Sequence, residues 1–350
     1  MKKGRNLVDL AKELQRQMET KKDYIVPTSM MTFAVDANRL HIDNVNGDSD
    51  VGMTDHFHGQ VSDRLKIPKK YYDRMRTEAP ELLANNVNHW LKNADERRLV
   101  RLLDGDARAY LSNRYRPIDN YDMAESLLPT IQDMGCSIES CELTARRMYI
   151  KAVTSKIEGE VGVGDVVQAG IMISNSEIGA GSVQVVPLVY RLQCLNGMIV
   201  ADQGIKRYHT GKWIDQLEDA VTHFSDATIA QDNKALFMKM RDIVKAALTE
   251  EGFAEILNSF KAAASMEIKR DPVKVVEDVS KKFAFTDDEK GGVLSHLIKG
   301  GDLSKWGLAN AITRQSQDVE DYDRATDFER FGGQVVELKD NEWEVLAEVA

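Results

Sequence analysis

Only three cysteines occur in the 350 residues, Cys136, Cys141 and Cys194, and no two of them form a CxxC pair. An odd count without that spacing argues against a disulfide framework and a zinc knuckle, and leaves them as small buried thiols. Runs of about eighteen apolar residues, enough for a membrane span, are also missing. The opening "MKKGRNLVDLAKELQRQMETKK" breaks its apolar positions with charge every few residues, so neither a membrane span nor a signal peptide is expected, and the expected location is cytoplasmic. HExxH, GxSxG and GxxxxGK[ST] are all lacking. Of the seven histidines only His56 and His58 sit close together, and at i and i+2 a helix points them to different faces. No metal, no cofactor and no catalytic residue is therefore expected.

What is present is a globular composition, 43% hydrophobic and 29% charged, with a net charge of -10. That charge is unevenly spread. Residues 1–212 hold 29 Lys+Arg against 28 Asp+Glu, whereas residues 213–350 hold 17 against 28. Leu7, Leu10, Leu14 and Met18 have helical spacing and predict an amphipathic N-terminal helix within residues 1–24. "MTFAVDANRLHID" alternates like a half-buried hairpin. From Thr54 follow a helix, a stop at Pro68, a second helix to about Met75, and a third in "APELLANNVNHWLKN" with Leu82, Leu83, Val87 and Leu91 on one face. Strands dominate residues 97–200, and "DGD" at 104–106 marks a tight hairpin turn. Beyond Gly211 the apolar spacing turns helical, with a capping box in "TDDEK" and a stop at Gly332-Gly333. The order predicts an α+β fold: a mixed sheet with long β-hairpins and flanking helices in a core domain over residues 25–212, then an acidic, all-helical region over 213–350.

The chemistry is concentrated in "RAYLSNRYRPIDNYDM", residues 108–123. Arg101, Arg108, Arg114 and Arg116, interleaved with Tyr110 and Tyr115, combine guanidinium forks suited to phosphate with rings suited to base stacking. Salt bridges on a solvated sheet face are the plain alternative. Arg146, Arg147 and Lys151 form a second basic group, and strand alternation allows at most one of Arg146 and Arg147 to face a groove; Arg147 is taken as that one. Arg191, Lys206 and Arg207 would extend the lining. "SNSEIGAGS" (174–182) reads as a flexible hairpin loop with Gly179 and Gly181 supplying positive φ. "GIKRYHTGKW" (204–213) suits an anion better than a reaction. The four tryptophans, Trp90, Trp213, Trp306 and Trp343, lie among helical apolar residues and are expected in the core.

"IPKKYYDRMRTEAPELLANNVNHWL", "VRLLDGDARAYLSNRYRPIDNYDM" and "VYRLQCLNGMIV", with "WGLANAITRQSQ" further on, resemble the phage and plasmid-like proteins of domain of unknown function 932. The resemblance runs from about residue 25 to the final helices. It implies a phage or prophage origin and assigns no catalytic residue. In outline the element order is also similar to phage single-strand annealing proteins. The expected function is non-enzymatic binding of single-stranded nucleic acid, DNA rather than RNA, by a homo-oligomer during recombination or replication. The alternative is a protein-interaction or anti-defence factor that engages a host or phage protein through the acidic C-terminal region, and a nucleotide-binding enzyme using the 174–182 loop and the 204–213 cluster is the third reading.

Overall fold

The computed structural model describes residues 1–45, 49–94, 96–200, 205–207 and 226–348, with side chains for all of these but 205–207 and 226–230. The chain opens with α1 (Leu7–Thr20), β1 (Lys22–Pro27), β2 (Met31–Phe33), β3 (Arg39–Ile42) and β4 (Asp50–Met53), then α2 (Asp55–Arg64), α3 (Lys69–Glu78) and α4 (Pro80–Asn93). The hairpin β5 (Arg97–Leu103) and β6 (Asp106–Ser112) leads into α5 (Asn120–Asp133). Six further strands follow: β7 (Ser137–Leu143), β8 (Met148–Glu160), β9 (Val166–Asn175), β10 (Val183–Arg191), β11 (Asn196–Ile199) and β12 (Ile205–Arg207). The rest is helical: α6 (Asp226–Ala247), α7 (Glu250–Ala264), α8 (Pro272–Phe283), α9 (Asp287–Gly300), α10 (Lys305–Gln315), α11 (Tyr322–Val336) and α12 (Asp340–Ala347).

The fold is α+β with an all-helical C-terminal region, as expected, but the strands form two sheets rather than one. The N-terminal sheet runs β1-β5-β6-β4-β3-β2. All its pairs are antiparallel except β4 with β6, which connect through three helices and pair in parallel. Apolar residues of one face, including Val100, Leu102 and Tyr110, pack on Phe57, Val61, Tyr72, Leu83, Val87 and Leu91 of α2, α3 and α4. Leu82 is not on that buried face; it is 51% exposed, because α4 turns Ala84 inward in its place.

The second sheet is an antiparallel meander, β7-β8-β9-β10-β11, with β12 paired to β10. Its central strands are buried on both faces, since helices cover both. Ile150, Ala152, Ile171 and Ile173 join the core that contains α1, α5, α6 and α7. Tyr149, Val153, Met172 and Val186 face Tyr322 of α11. Thr286 and Glu289 form the expected capping box at α9. Gly332-Gly333 does not stop a helix: α11 continues to Val336. A Cβ on Gly332 would lie 2.2 Å from Thr313 Cγ2, and one on Gly333 2.0 Å from the Ile199 carbonyl oxygen, so the pair lets α11 approach α10 and β11 closely.

α1 docks on its own chain. Leu10 and Leu14 enter the core, and Arg16 grips the Asp104 carboxylate at the hairpin tip with Nη1–Oδ1 2.7 Å and Nη2–Oδ2 2.9 Å. Asp104 (φ 54°) and Gly105 (φ 85°) both take the left-handed conformation of a two-residue hairpin turn. Trp306 and Trp343 are core residues, Trp90 is 51% exposed, and Trp213 lies outside the described residues. Cys141 is buried, whereas Cys136 and Cys194 are half-buried.

Candidate functional site

The arginine hairpin is a socket for the loop between β9 and β10. On the sheet face away from the helices, Leu99, Ala109, Leu111 and Tyr115 enclose Ile178 of that loop. Arg101 lies between them on β5 and is fully buried. Its Nε donates to Asp23 (2.8 Å), Nη2 to Asp119 (2.9 Å) and Nη1 to the Glu177 carbonyl (2.8 Å). Arg108 owes its direction to a bulge: Leu102 pairs Ala107 and Arg101 pairs Ala109, which leaves Arg108 as the unpaired extra residue. It donates to Glu177 Oε2 at 2.6 Å, while Glu177 Oε1 accepts from the Asn120 amide. Tyr115 donates to the Ser176 carbonyl, and His56 and Gln60 both donate to that of Ile178. The loop is thus pinned along its length. Gly179 has positive φ as expected, but Gly181 does not.

These contacts correct most of the expected binding set. Arg101 is completely buried, with its charge matched by two carboxylates, so its guanidinium cannot reach a phosphate in solvent. Tyr110 is buried against Phe57 with the Arg98 guanidinium over its ring at 5.5 Å, and its hydroxyl is pushed up to about 12 by burial; Tyr115 is equally enclosed. Neither ring offers a stacking face. Lys151 is completely buried, bonded to Glu329 (2.6 Å) and Thr326 (3.1 Å), because alternation along β8 sets it between Tyr149 and Val153 under α11. Arg147 donates twice to the Ala180 carbonyl. Arg191 forms a fork on Asp165 at 2.5 and 3.0 Å. Arg116 is half-buried and already engaged within the chain, and Arg114 alone of the hairpin group is exposed without an ion pair among the described residues. Lys206 and Arg207 sit on β12 opposite Gln184 and Val183, and their side chains lie outside the described residues, as do residues 208–213.

An open polar cleft of about 970 Å³ lies beside this socket, where the two sheets meet. One wall is α2 and α3, carrying Asp55, His56, Asp63, Lys69, Asp73 and Arg76; the other is Ile178, Arg108 and the turn residues Ala145 and Arg146. Thr54 caps α2 by accepting from the Phe57 amide and so fixes its first turn, with Asp55 and His56, at the cleft mouth. Lys69, Asp73 and Arg76 follow at helical spacing on one face of α3. Arg76 pairs with Asp55 (2.6 Å), which holds that carboxyl below its usual range, and Lys69 pairs with Asp73. Arg146 is exposed and has no ion pair among the described residues. Burial pushes the His56 imidazole below its ordinary value, with the Ile178 carbonyl bond opposing.

Arg146, rather than Arg147, faces the opening. The alternation argument fails there because residues 144–147 are a turn, closed by Thr144 N–H donating to the Arg147 carbonyl, and not continuous strand. As one of a metal pair His56 is unpromising, and its signal in the sequence is that of a lone histidine opening an N-capped helix. The 69, 73, 76 spacing was equally legible in "KKYYDRMR". Among the described residues no group of three His, Cys, Asp or Glu could hold a metal, and no helix is long and apolar enough to cross a membrane.

Fold and site together define a two-sheet α+β protein with a charged cleft at the junction of its sheets. Over residues 109–335 the chain matches the family model described as domain of unknown function (DUF932), and it belongs to that family. The match begins inside β6 and covers the second sheet with most of the helical region, so "IPKKYYDRMRTEAPELLANNVNHWL" lies outside it. The cleft is therefore walled on one side by the matched residues Ala145, Arg146 and Ile178 with Arg108 just before the match, and on the other by α2 and α3. No curated protein and no solved structure matches the chain.

Proposed function

We propose that the protein binds single-stranded nucleic acid in the cleft between its two sheets, as a non-enzymatic and oligomeric phage or prophage protein acting in recombination or replication. The observation that carries the reading is the exposed Arg146, without an ion pair among the described residues, lining the same open cleft of about 970 Å³ as Arg76 and Lys69. Arg76 and Lys69 hold exposed ion pairs, which are worth about 0–1 kcal/mol, so exchanging Asp55 or Asp73 for a phosphate costs little. Arg108, anchored by Glu177, supplies a fixed cation at the cleft floor. Three aspartates share the lining, so binding should be moderate and strongly salt-dependent.

Fluorescence anisotropy with a labelled single strand tests this across a salt series. Three or four phosphate contacts give a slope of log K against log salt of roughly -2 to -3. Arg146→Ala/Arg76→Ala should lower affinity at low salt about tenfold or more, while Lys299→Ala/Lys290→Ala, which removes two charges on α9, serves as the charge-matched control. Absence of binding at low salt would remove the reading.

A protein-interaction factor is the second reading, favoured by a shallow opening of about 730 Å³ where Val35 and Leu82 stand exposed beside Asp36 and Glu81. A Leu82→Glu variant that loses biological activity but keeps nucleic-acid binding would favour it.

A further inference from the structure

His56 occupies the first turn of α2 with its ring in the cleft wall. Its Nε2 lies 2.9 Å from the Ile178 carbonyl oxygen. A carbonyl only accepts, so Nε2 carries the hydrogen and Nδ1 keeps the lone pair. Nδ1 has no partner among the described residues and is not one of their sealed-off polar atoms, so it faces the water of the cleft. Arg146 and Asp63 are the charges whose fields reach the ring. Asp55, Lys69, Asp73 and Arg76 line the same opening, and Arg108 with Glu177 closes it from β6 and the loop.

We propose that His56 contacts the anionic ligand through a proton taken up at Nδ1, so that phosphate binding and protonation of this ring are linked. The inference rests on the nucleic-acid reading of the cleft. In the empty cleft the ring is neutral at physiological pH, because burial and the Arg146 charge both oppose a second proton. A phosphate seated against Arg146 offsets that charge and adds an acceptor within reach of Nδ1. The proton comes from solvent, Nε2–H keeps its bond to Ile178, and no backbone has to move. Binding therefore raises the ring's proton affinity, and by reciprocity protonation raises affinity for the ligand. The sign follows: affinity grows as pH falls and is lost as pH rises through the bound-state value.

The test is anisotropy with labelled oligothymidylate, whose bases do not titrate in the range, at constant low salt between about pH 5.5 and 8. The wild-type protein should change affinity by up to about tenfold per pH unit over part of that range. His56→Gln should give a flat profile. His41→Gln removes an exposed histidine that pairs with Asp43 and Asp50 on the β3 side and should keep the wild-type slope. A wild-type protein that binds with one affinity throughout overturns the proposal and leaves the cleft reading standing, as does a His56→Gln variant with the full slope. No binding at any pH overturns both. If His56→Gln fails to fold, calorimetry of the wild-type protein in two buffers of different ionisation enthalpy reads the proton uptake directly, and zero uptake near pH 6.5 refutes the link.

Discussion

Arg101 and Lys151 were each expected to meet a phosphate, and each is instead an interior cation with assigned partners. Glu329→Ala strands Lys151 in the layer between β8 and α11 and should cost about 3–5 kcal/mol, the penalty of an uncompensated buried charge. The double replacement Lys151→Met/Glu329→Leu should be less destabilising than that single change, because it removes both desolvation costs; denaturant titrations of the three proteins check this. Glu329 Oε1 has no hydrogen-bond partner among the described residues, which adds to the cost of keeping the pair. His58 supplies a pH dependence. Burial in full holds its imidazole at about 4, against about 6.5 in an unfolded chain. Between those values the unfolded state binds more protons, so stability falls as the pH drops, by about 3 kcal/mol when the interval is crossed. The melting temperature should decline from neutrality toward pH 5, and His58→Gln should make that decline shallower.

At the level of elements, the β9–β10 loop governs how the two sheets sit together, and it was the feature least legible beforehand. "SNSEIGAGS" has the composition of a mobile connection, and what immobilises it comes from distant sequence: Arg101 and Arg108, Tyr115, His56 and Gln60, and Arg147. Gly179→Ala tests the socket. The residue has φ +74°, and an added Cβ would lie 2.8 Å from Leu111 Cδ2, so a loss of roughly 1–2 kcal/mol from backbone conformation alone is expected, with the clash added. Faster hydrogen exchange in residues 175–182 should accompany it. Local signals were read correctly where local physics decides. The Thr54 cap, the Asp104-Gly105 turn and the Thr286 capping box all form as their residue types require. Gly332-Gly333 misled because a helix glycine serves close packing as readily as termination, and only the neighbouring α10 and β11 distinguish the two.

For the whole molecule, alternation and helical spacing gave the α+β order and the helical C-terminal region but not the division into two sheets. The first sheet is held together by the parallel pairing of β4 with β6 across three intervening helices and β5, a long-range contact that leaves no periodic trace in the chain. The same limit hid the cleft, whose charged residues come from α2, α3, β6 and the turn at 144–147. The basic residues that stood out by clustering in sequence are mostly consumed inside the chain, Arg101 and Arg108 in joining the sheets, Arg147 and Arg191 within the second sheet and Lys151 under α11; those left facing water are dispersed. The central claim, that ligand enters at this junction and not along the hairpin, is tested most directly by hydrogen exchange with and without a saturating single strand. The account predicts slowed exchange in the first turn of α2, in residues 144–147 and in the 176–182 loop. Protection confined to the helical region after residue 226, or no change in a sample shown to bind, would contradict it.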